Sequence, residues 1–471
     1  MAKNDLLQKI ISLSKRRGFV YPNSEIYGGI SGFYDFGPLG VELANNIKKE
    51  WWREMVYSRD KVVGIDGTII THPKVWEASG HVEGFTDPLV DCKKCRKRFR
   101  ADDLLGDLDI KESGATGKDL IEKLSKALKG KKCPECKGEL TEPRRFNLLV
   151  EAGLGVLEGE KQKVYLRGEA CQTIYLDYKN VLDSMRMKIP FGIAQIGKAF
   201  RNEITPKNFL YRQREFEQWD LQWFCKPEEM EKWYDFWKEQ RMKWYQSLVN
   251  NKKKLRFRQH DSDELAHYAK IAFDIEYETP FGWKEWEGIH WRGDWDLSRH
   301  GKFSKNDFTY TDPETKQSFL PHIVETSGGV DRTFLFLLLD AYSEEQIKGE
   351  KRVVLRLRKD LAPYKVAVFP LLANKPKLVE KAKKVYGMLN SQFHCAWDDR
   401  GNVGKRYYSQ DEIGTPYCVT IDFDTLEKND VTIRDRDSTK QIRVKIENLA
   451  ETITKLLKSE IEFEKAGELV K

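Results

Sequence analysis

A regular recurrence of apolar positions marks residues 36–57. Gly37-Pro38 opens this stretch, and a proline in the first turn of a helix costs no backbone hydrogen bond. Apolar side chains then recur at every fourth position and therefore share one face of a helix. They are Leu39, Leu43, Ile47, Trp51 and Met55. The pattern predicts one long amphipathic helix.

The rhythm of apolar positions changes along the rest of the chain. Residues 62–70 predict a strand, residues 146–350 contain aromatic-rich strands and end in an apolar helix, and charged residues 343–352 resemble a linker. Beyond it, strands at 366–370, 417–422 and 431–434 alternate with a helix at 377–391. Such alternation indicates a separate α/β domain.

A second pattern, of period two, occupies residues 210–224. Pro206 cannot lie in a central strand, so it places a loop between this strand and the preceding one, which ends near Phe200. Trp219, Leu221 and Trp223 share one face of the strand. The other face is polar and carries Arg212, Arg214, Phe216, Gln218 and Asp220. Guanidinium groups, a ring and a carboxylate suit a nucleotide and an amino acid, although a solvated face with surface ion pairs has the same composition.

Glu325 to Arg332 lead directly into the apolar helix. Gly328-Gly329 permits a tight turn from strand to helix, where backbone can approach a ligand. Arg332 falls in the first turn, where the helix dipole disfavours a cation unless an anion is near. That anion is either Asp331 or a bound phosphate.

These stretches resemble the three signature motifs of the class II aminoacyl-tRNA synthetases, and specifically those of the dimeric glycyl enzymes. Motif 1 corresponds to Gly28-Gly29, Tyr34 to Gly40 and Trp51-Trp52, motif 2 to Phe200 to Pro206 with Arg214 to Gln218, and motif 3 to Glu325 to Arg332. Gly404 to Tyr407, Asp411 to Tyr417 and Arg434 to Asp437 are similar to the family's anticodon-binding domain.

The resemblance implies an α+β fold in which helices flank an antiparallel sheet. It places a catalytic domain in residues 1–84 and 146–350, a zinc-binding insertion in 85–145 and an α/β anticodon-binding domain in 355–471. The implied activity is ATP-dependent attachment of glycine to tRNA(Gly) through a glycyl-adenylate, by a homodimer.

The resemblance also assigns roles in ATP binding. Arg201 would hold the α-phosphate, Glu203 the adenine amino group and Arg332 the γ-phosphate, Phe216 would stack on adenine, and Glu285 would meet ATP through Mg²⁺. Arg201, Arg332 and Glu285 would be catalytic. The implied ATP set is Arg201, Asn202, Glu203, Tyr211, Arg212, Arg214, Glu215, Phe216, Glu285, Trp286, Gly329, Val330, Asp331 and Arg332.

The implied glycine pocket is rich in carboxylates, which suits an ammonium group on a substrate without a side chain. Its members are Arg100, Glu169, Phe216, Glu217, Gln218, Asp220, Arg292, Glu325, Ser327 and Gly329. Four positions depart from the family pattern: Gly168 and Thr326 replace prolines, Ala170 replaces threonine, and Asp220 replaces glutamate. The departures concern the geometry of glycine binding and leave the ATP chemistry intact.

Four of the 8 cysteines form two CxxC pairs, at Cys92, Cys95, Cys133 and Cys136. Four thiolates with this spacing suit a closed tetrahedral Zn²⁺ site, and free or redox-active thiols are the alternative. Basic residues from Lys93 to Arg100 crowd the first pair, facing either tRNA phosphate or solvent.

Composition adds little. The net charge of +7 over 471 residues is mild, no apolar run approaches the roughly 20 residues that span a bilayer, and the N-terminal pattern predicts a short amphipathic helix, not a signal peptide. We therefore expect a cytoplasmic protein without membrane contact. Two other functions remain open, namely a non-catalytic synthetase-like nucleic-acid-binding protein and a class II synthetase for another small amino acid. His290 and His300 are predicted to be hydrogen-bonded structural residues near the pocket.

Overall fold

The computed structural model describes residues 3–105, 117–157, 159, 161–261, 270–347 and 349–470. Within these ranges, no helix combines the length and the apolar character needed to cross a membrane. The helices of the described ranges are α1 Lys3–Arg17, α2 Pro38–Trp52, α3 Pro73–Ala78, α4 His81–Gly84, α5 Gly117–Leu128, α6 Gln172–Leu176, α7 Tyr178–Ser184, α8 Met230–Leu248, α9 Trp295–Ser304, α10 Val330–Ala341, α11 Pro376–Asn390, α12 Val403–Ile413, α13 Phe423–Lys428 and α14 Leu449–Leu457.

The strands form several sheets of very different size. In chain order they are β1 Val20–Pro22, β2 Tyr34–Phe36, β3 Val62–Gly64, β4 Ile70–Thr71, β5 Thr86–Asp91, β6 Arg98–Arg100, β7 Arg144–Asn147, β8 Val150–Leu154, β9 Gln162–Leu166, β10 Phe191–Phe200, β11 Glu215–Cys225, β12 Leu255–Gln259, β13 Ile271–Thr279, β14 Gly282–Gly293, β15 Tyr310–Thr311, β16 Ser318–Phe319, β17 His322–Gly329, β18 Tyr342–Ile347, β19 Glu350–Leu355, β20 Val366–Pro370, β21 Cys395–Trp397, β22 Tyr417–Ile421, β23 Asp430–Asp435, β24 Gln441–Lys445 and β25 Glu468–Leu469.

The central sheet has seven strands in the order β12-β13-β14-β17-β11-β10-β3. Every neighbouring pair is antiparallel except β10 and β3. One face of this sheet packs on α2, α8 and α10 and buries Trp219, Leu221 and Trp223, as their period-two spacing predicted. Trp51 of α2 stacks on Trp219 with ring centroids 5.6 Å apart. The opposite face of β11 is thereby left for a site.

Two smaller units complete the fold. In the insertion, β6, β5 and β7 form a three-stranded antiparallel sheet beside α5. The C-terminal sheet has six strands in the order β21-β20-β22-β23-β24-β25, with β20 parallel to both of its neighbours. The predicted α+β architecture with a C-terminal α/β domain is confirmed.

The structure corrects the interpretation of residues 343–352 as a linker. Residues 343–347 and 350–352 belong to the β18–β19 hairpin, and Arg352 is buried. Its guanidinium donates to Asp411 of α12 at 2.8 Å and to Glu345 at 2.8 Å. The high density of charge reflects paired groups packed against the C-terminal domain, whereas the sequence suggested a solvated segment.

Two predicted strands also differ from the observed ones. The strand expected over residues 62–70 is divided between β3 and β4, which belong to different sheets. Gly67 lies between them and donates its N–H to the side-chain Oε1 of Gln195 at 2.6 Å, so the backbone pairing of β3 with β10 does not continue through it. The strand expected from residue 210 begins at Glu215, because Phe209–Tyr211 form a 3-10 turn.

Candidate active site

A cavity lies on the open face of the central sheet, above β11, β14 and β17. It brings together many of the predicted residues from separate parts of the chain. From the predicted ATP set it is lined by Arg201, Glu203, Tyr211, Arg212, Phe216, Glu285, Gly329, Asp331 and Arg332. From the predicted glycine set it is lined by Glu169, Phe216, Gln218, Glu325, Ser327 and Gly329.

Arg201 follows β10 directly and presents its guanidinium to this cavity. Its Nε donates to the carbonyl of Gly168 at 3.1 Å, and its guanidinium lies 5.3 Å from the Phe216 ring centroid. Within the described residues its two terminal amino groups make no hydrogen bond and no ion pair. A planar fork of free donors beside an aromatic ring suits a phosphate group attached to a base.

Arg332 enters from the first turn of α10, as the sequence predicted. Its Nη1 lies 2.9 Å from Glu285 Oε1, and its guanidinium lies 4.7 Å from the Tyr211 ring centroid. Asp331 is not its partner, because that carboxylate accepts the N–H of Glu217 at 2.6 Å. Burial raises the pKa of Asp331 to about 6. The cation near the helix N-terminus is thus balanced by Glu285 across the cavity.

An ion-pair chain connects the cavity wall to the insertion. Arg212 Nε donates to Glu203 Oε2 at 2.6 Å, and Arg212 Nη2 donates to Asp87 Oδ2 at 3.2 Å. Asp87 also accepts from Arg100 of β6, which pairs with Asp102 as well. Arg100 therefore contacts the site through Asp87 and does not line the cavity.

Two carboxylates, Glu169 and Glu325, line the floor of the cavity, and a third, Asp220, is fully buried beside Glu325 and outside the cavity lining. Burial and the charges of Glu325 and Glu169 raise the pKa of Asp220 well above its usual range. Among the described residues, no hydrogen bond reaches Asp220 Oδ2. Burial also opposes ionisation of Glu325, but Arg292 and His290 lower its pKa to about 2. The floor carries more negative charge than its own cations balance, so it suits an ammonium group.

Arg292 lies behind this floor. It donates to both oxygens of Glu325, at 2.9 and 3.0 Å, and to both oxygens of Asp296. It is buried and orients Glu325. His290 lines the cavity with Nδ1 2.8 Å from Glu325 Oε2. His300 is buried with Nε2 2.9 Å from Gln172 Oε1, as expected of a structural histidine.

The remaining predicted residues lie outside the cavity. Glu217 has the opposite parity to Phe216 on β11, and its side chain pairs with Lys48 of α2. Glu215 has the same parity as Glu217, opposite to Phe216, and its side chain pairs with Lys198 at 3.1 Å. Trp286 is fully buried and donates to Thr333 Oγ1 at 2.8 Å.

Three further predicted residues support the site from its edges. Val330 is buried in the main core. Arg214 donates to the carbonyls of Glu203 and Ser31, which fixes the loop after β10. Asn202 is exposed, and its N–H donates to the carbonyl of Leu148 at 2.8 Å.

Sequence reasoning missed three residues that line the cavity, namely Leu210, Gln213 and Gly288, whereas Gly328, which also lines it, was expected where backbone can approach a ligand. The two glycines leave space for neighbouring side chains. A Cβ at Gly288 would lie 2.6 Å from the His290 ring, and one at Gly328 would lie 2.5 Å from Trp219 Nε1. Gly328 was proposed as a turn residue, but β17 extends through it.

The four cysteines of the two CxxC pairs lie together in the insertion. Their Sγ atoms are all within 4.8 Å of one another. Cys92 and Cys136 are 3.4 Å apart and Cys95 and Cys133 are 3.8 Å apart, so neither pair is a disulfide. A tetrahedral Zn²⁺ with sulfur ligands at about 2.3 Å requires Sγ separations of about 3.8 Å. The cluster fits such an ion.

The antiparallel central sheet, with a motif arginine after one strand and another in the helix that follows β17, defines the class II aminoacyl-tRNA synthetase core. Comparison with protein families supports this class. The model described as "tRNA synthetase class II core domain (G, H, P, S and T)" matches residues 155–342, and that described as "Anticodon binding domain" matches residues 365–456.

Curated relatives make the identification specific. Proteins named glycine–tRNA ligase are 50% identical in Borreliella burgdorferi, covering 98% of this chain and 99% of the relative, and 49% identical in Treponema denticola, covering 93% and 94%. The same name is given to a protein of Acetivibrio thermocellus that is 49% identical over 94% of this chain and 96% of its own. The chain belongs to the glycine–tRNA ligase family.

Proposed function

We propose that the protein joins glycine to tRNA(Gly) at the expense of ATP, and that the cavity above β11 forms the glycyl-adenylate. The observation that carries the proposal is the guanidinium of Arg201, whose terminal amino groups have no partner in the described part of the chain, beside Phe216 and above a floor of buried carboxylates. An anion-binding group and an ammonium-binding group face one cavity. The first would bind a phosphate group of ATP, and the second would bind the ammonium group of an amino acid.

The ATP half of the site uses both motif arginines. Phe216 stacks on adenine, Glu203 accepts from the adenine amino group, and Arg201 donates to the α-phosphate. Arg332 binds the γ-phosphate, and Glu285, whose side chain is 43% exposed in the cavity, would hold Mg²⁺ together with the phosphates. Bound Mg²⁺ neutralises phosphate charge. Preorganised donors would then stabilise the charge that develops as the glycine carboxylate attacks the α-phosphorus in line and the bond from that phosphorus to the departing pyrophosphate breaks.

The amino-acid half recognises an ammonium group and little else. Glu169, Asp220, Glu325 and Ser327 surround the place where the ammonium of glycine would lie, and Arg292 keeps Glu325 ionised. Without a substrate side chain to bind, selectivity depends on excluding a methyl group. Binding alone discriminates one methyl or methylene group by about 10–200-fold.

The insertion is proposed to hold one structural Zn²⁺ through Cys92, Cys95, Cys133 and Cys136. Gly138 supports this assignment, because a Cβ there would lie 3.1 Å from Cys92 Sγ and 3.3 Å from Cys136 Sγ. The sulfur atoms are packed as closely as a four-thiolate site requires.

We expect about one Zn²⁺ per chain in protein purified without added zinc, as measured by metal analysis. Cys136→Ser should lose the metal and lower the melting temperature, since zinc binding contributes directly to folding. Cys171→Ser, at a buried cysteine outside the cluster, should keep it. Metal-free protein in which all four thiols react freely would contradict the site.

The C-terminal domain is proposed to bind the anticodon, but not through all the side chains that the sequence suggested. Arg406, Arg434 and Arg436 lie in the stretches that resemble the family's anticodon-binding domain, but all three are buried and do not face tRNA phosphate. Arg434 donates to both oxygens of Asp411, at 2.9 and 3.0 Å. Lys405 is exposed and is a candidate for contact with tRNA phosphate.

Removal of the C-terminal unit tests this role. Because Arg352 of β19 pairs with Asp411, the cut belongs after Ala341 and not near residue 355. The truncated protein should retain glycine-dependent pyrophosphate exchange. Charging of tRNA should fall by about 100-fold or more, because a second binding module raises effective affinity by that order. Charging at the full-length rate would refute the role.

A homodimer is proposed as well. Exposed apolar side chains lie close to motif 1 in the sequence, with Ile26 and Tyr27 each 87% exposed and Ile30 56% exposed. Val41 of α2 is 42% exposed. Apolar residues concentrated in this way favour an interface between copies. A cytoplasmic location stays a prediction.

A further inference from the structure

A second aromatic ring, Phe85, lies against Arg201. The guanidinium carbon is 5.2 Å from the Phe85 ring centroid, about as close as it is to Phe216. Phe85 precedes β5 of the insertion and is remote from motif 2 in the sequence. No motif assigned it a role. A guanidinium in contact with two rings is attracted by both, and loses freedom to reorient.

The backbone fixes Phe85 relative to Arg201. The N–H of Leu148 donates to the carbonyl of Phe85 at 2.9 Å, and the N–H of Asn202 donates to the carbonyl of Leu148 at 2.8 Å. Phe85 N–H donates to the carbonyl of His81 at 3.1 Å. Asn202, which follows Arg201, and Phe85 are therefore both hydrogen-bonded to the backbone of Leu148.

Gly168 lies next to both the Phe85 ring and the Arg201 guanidinium. The Gly168 carbonyl accepts from Arg201 Nε, and a Cβ at Gly168 would lie 3.0 Å from Phe85 Cε1 and 3.3 Å from Leu149 Cδ2. Phe85 also packs against the buried cluster of Trp76, Leu149 and Tyr165. The small residue at 168 lets the Phe85 ring approach the carbonyl that orients Arg201.

We propose that Phe85 is a positioning residue for ATP, which acts by holding the Arg201 guanidinium ready for the α-phosphate. The ring does not touch the substrate in this proposal. It restrains a cation whose terminal donors have no other partner within the described residues, and so reduces the entropy lost when phosphate binds. The proposal rests on the assignment of Arg201 to the α-phosphate.

The test compares Phe85→Leu with Phe85→Tyr. Leucine keeps apolar bulk but removes the ring, so kcat/KM for ATP in glycine-dependent pyrophosphate exchange should fall by about 3- to 30-fold. Tyrosine keeps the ring and should stay within about 2-fold of wild type. Phe99→Leu is the matched control, because Phe99 packs in the separate cluster around Val90. It should lower the melting temperature as the loss of ring packing requires, but leave activity unchanged.

A double-mutant cycle with Arg201→Ala distinguishes positioning from a general structural effect. Calorimetry measures the dissociation constant of ATP even for variants in which pyrophosphate exchange is slow. Phe85→Leu should weaken ATP binding in the wild-type background and add nothing to Arg201→Ala. Equal losses in both backgrounds, or wild-type behaviour of Phe85→Leu, would overturn the proposal. If Arg201→Ala itself left ATP binding and exchange intact, the underlying assignment of Arg201 would fail instead.

Discussion

Replacement of Arg201 by alanine should lower the rate of glycyl-adenylate formation by about 100- to 1,000-fold, the range measured for removal of one preorganised donor from a transition state. The physical reason is that neither of the other two arginines lining the cavity is free to replace the Arg201 guanidinium. The other cavity arginines are already engaged, Arg332 with Glu285 and Arg212 with Glu203 and Asp87. Arg201 alone among these three presents terminal donors without a partner in the described residues.

The measurement is glycine-dependent exchange between ATP and pyrophosphate, with the melting temperature recorded for each variant. Lys198→Ala is the matched control, because Lys198 lies near the end of β10, shortly before Arg201, and pairs with Glu215 outside the cavity. It should exchange within about 2-fold of wild type, since surface pairs contribute little. Near-normal exchange by folded Arg201→Ala would remove the basis for the ATP site.

The second large effect is expected from Asp220→Asn, which should raise the KM for glycine by about 10- to 100-fold. A hydrogen bond to a charged group contributes about 1.5–3 kcal/mol, and asparagine offers the ammonium only a neutral acceptor. The variant should nevertheless be as stable as wild type, or more so. Burial and the negative charges of Glu325 and Glu169 all raise the pKa of Asp220.

The raised pKa fixes the sign of two pH effects. Folded protein keeps a proton on Asp220 that the unfolded chain releases, so this residue lowers stability as the pH rises above the ordinary aspartate range. Asparagine removes that loss, and the difference in melting temperature should grow with pH. Glycine binding should displace the proton, so wild-type affinity should rise with pH.

Calorimetry in two buffers of different ionisation enthalpy detects the released proton, and Asp220→Asn should release less. Asp220→Glu keeps the carboxylate and should retain tighter glycine binding than asparagine. An asparagine variant with the wild-type KM for glycine would show that Asp220 does not contact the ammonium.

Much of the fold was predictable because local patterns were long and consistent. The i+4 recurrence from Leu39 to Met55 became α2 with its π-helical end at Arg53–Tyr57. The parity of β11 separated buried Trp219 from Phe216 on the cavity face. In the C-terminal domain, the expected strand at Val366–Pro370 has the predicted bounds.

What the sequence did not predict depends on contacts between distant segments. Charge at residues 343–352 suggested solvent exposure, but Arg352 is paired and buried. Arg406 similarly donates to the carbonyl of Pro370, in the first strand of the C-terminal sheet, which no local pattern indicates. Phe85 meets Arg201 only through the packing of the insertion on the core. The domain boundaries and the roles of individual site residues stay predictions.

Amino-acid-dependent exchange between ATP and pyrophosphate, run with glycine, alanine, serine and proline, tests the central claim most directly. The account predicts rapid exchange with glycine and exchange with alanine lower by at least about 10-fold, because one methyl group must be excluded from the carboxylate floor. Serine and proline should support even slower exchange than alanine. Exchange that is absent with glycine, or that is faster with any of the other three, would contradict the proposed function.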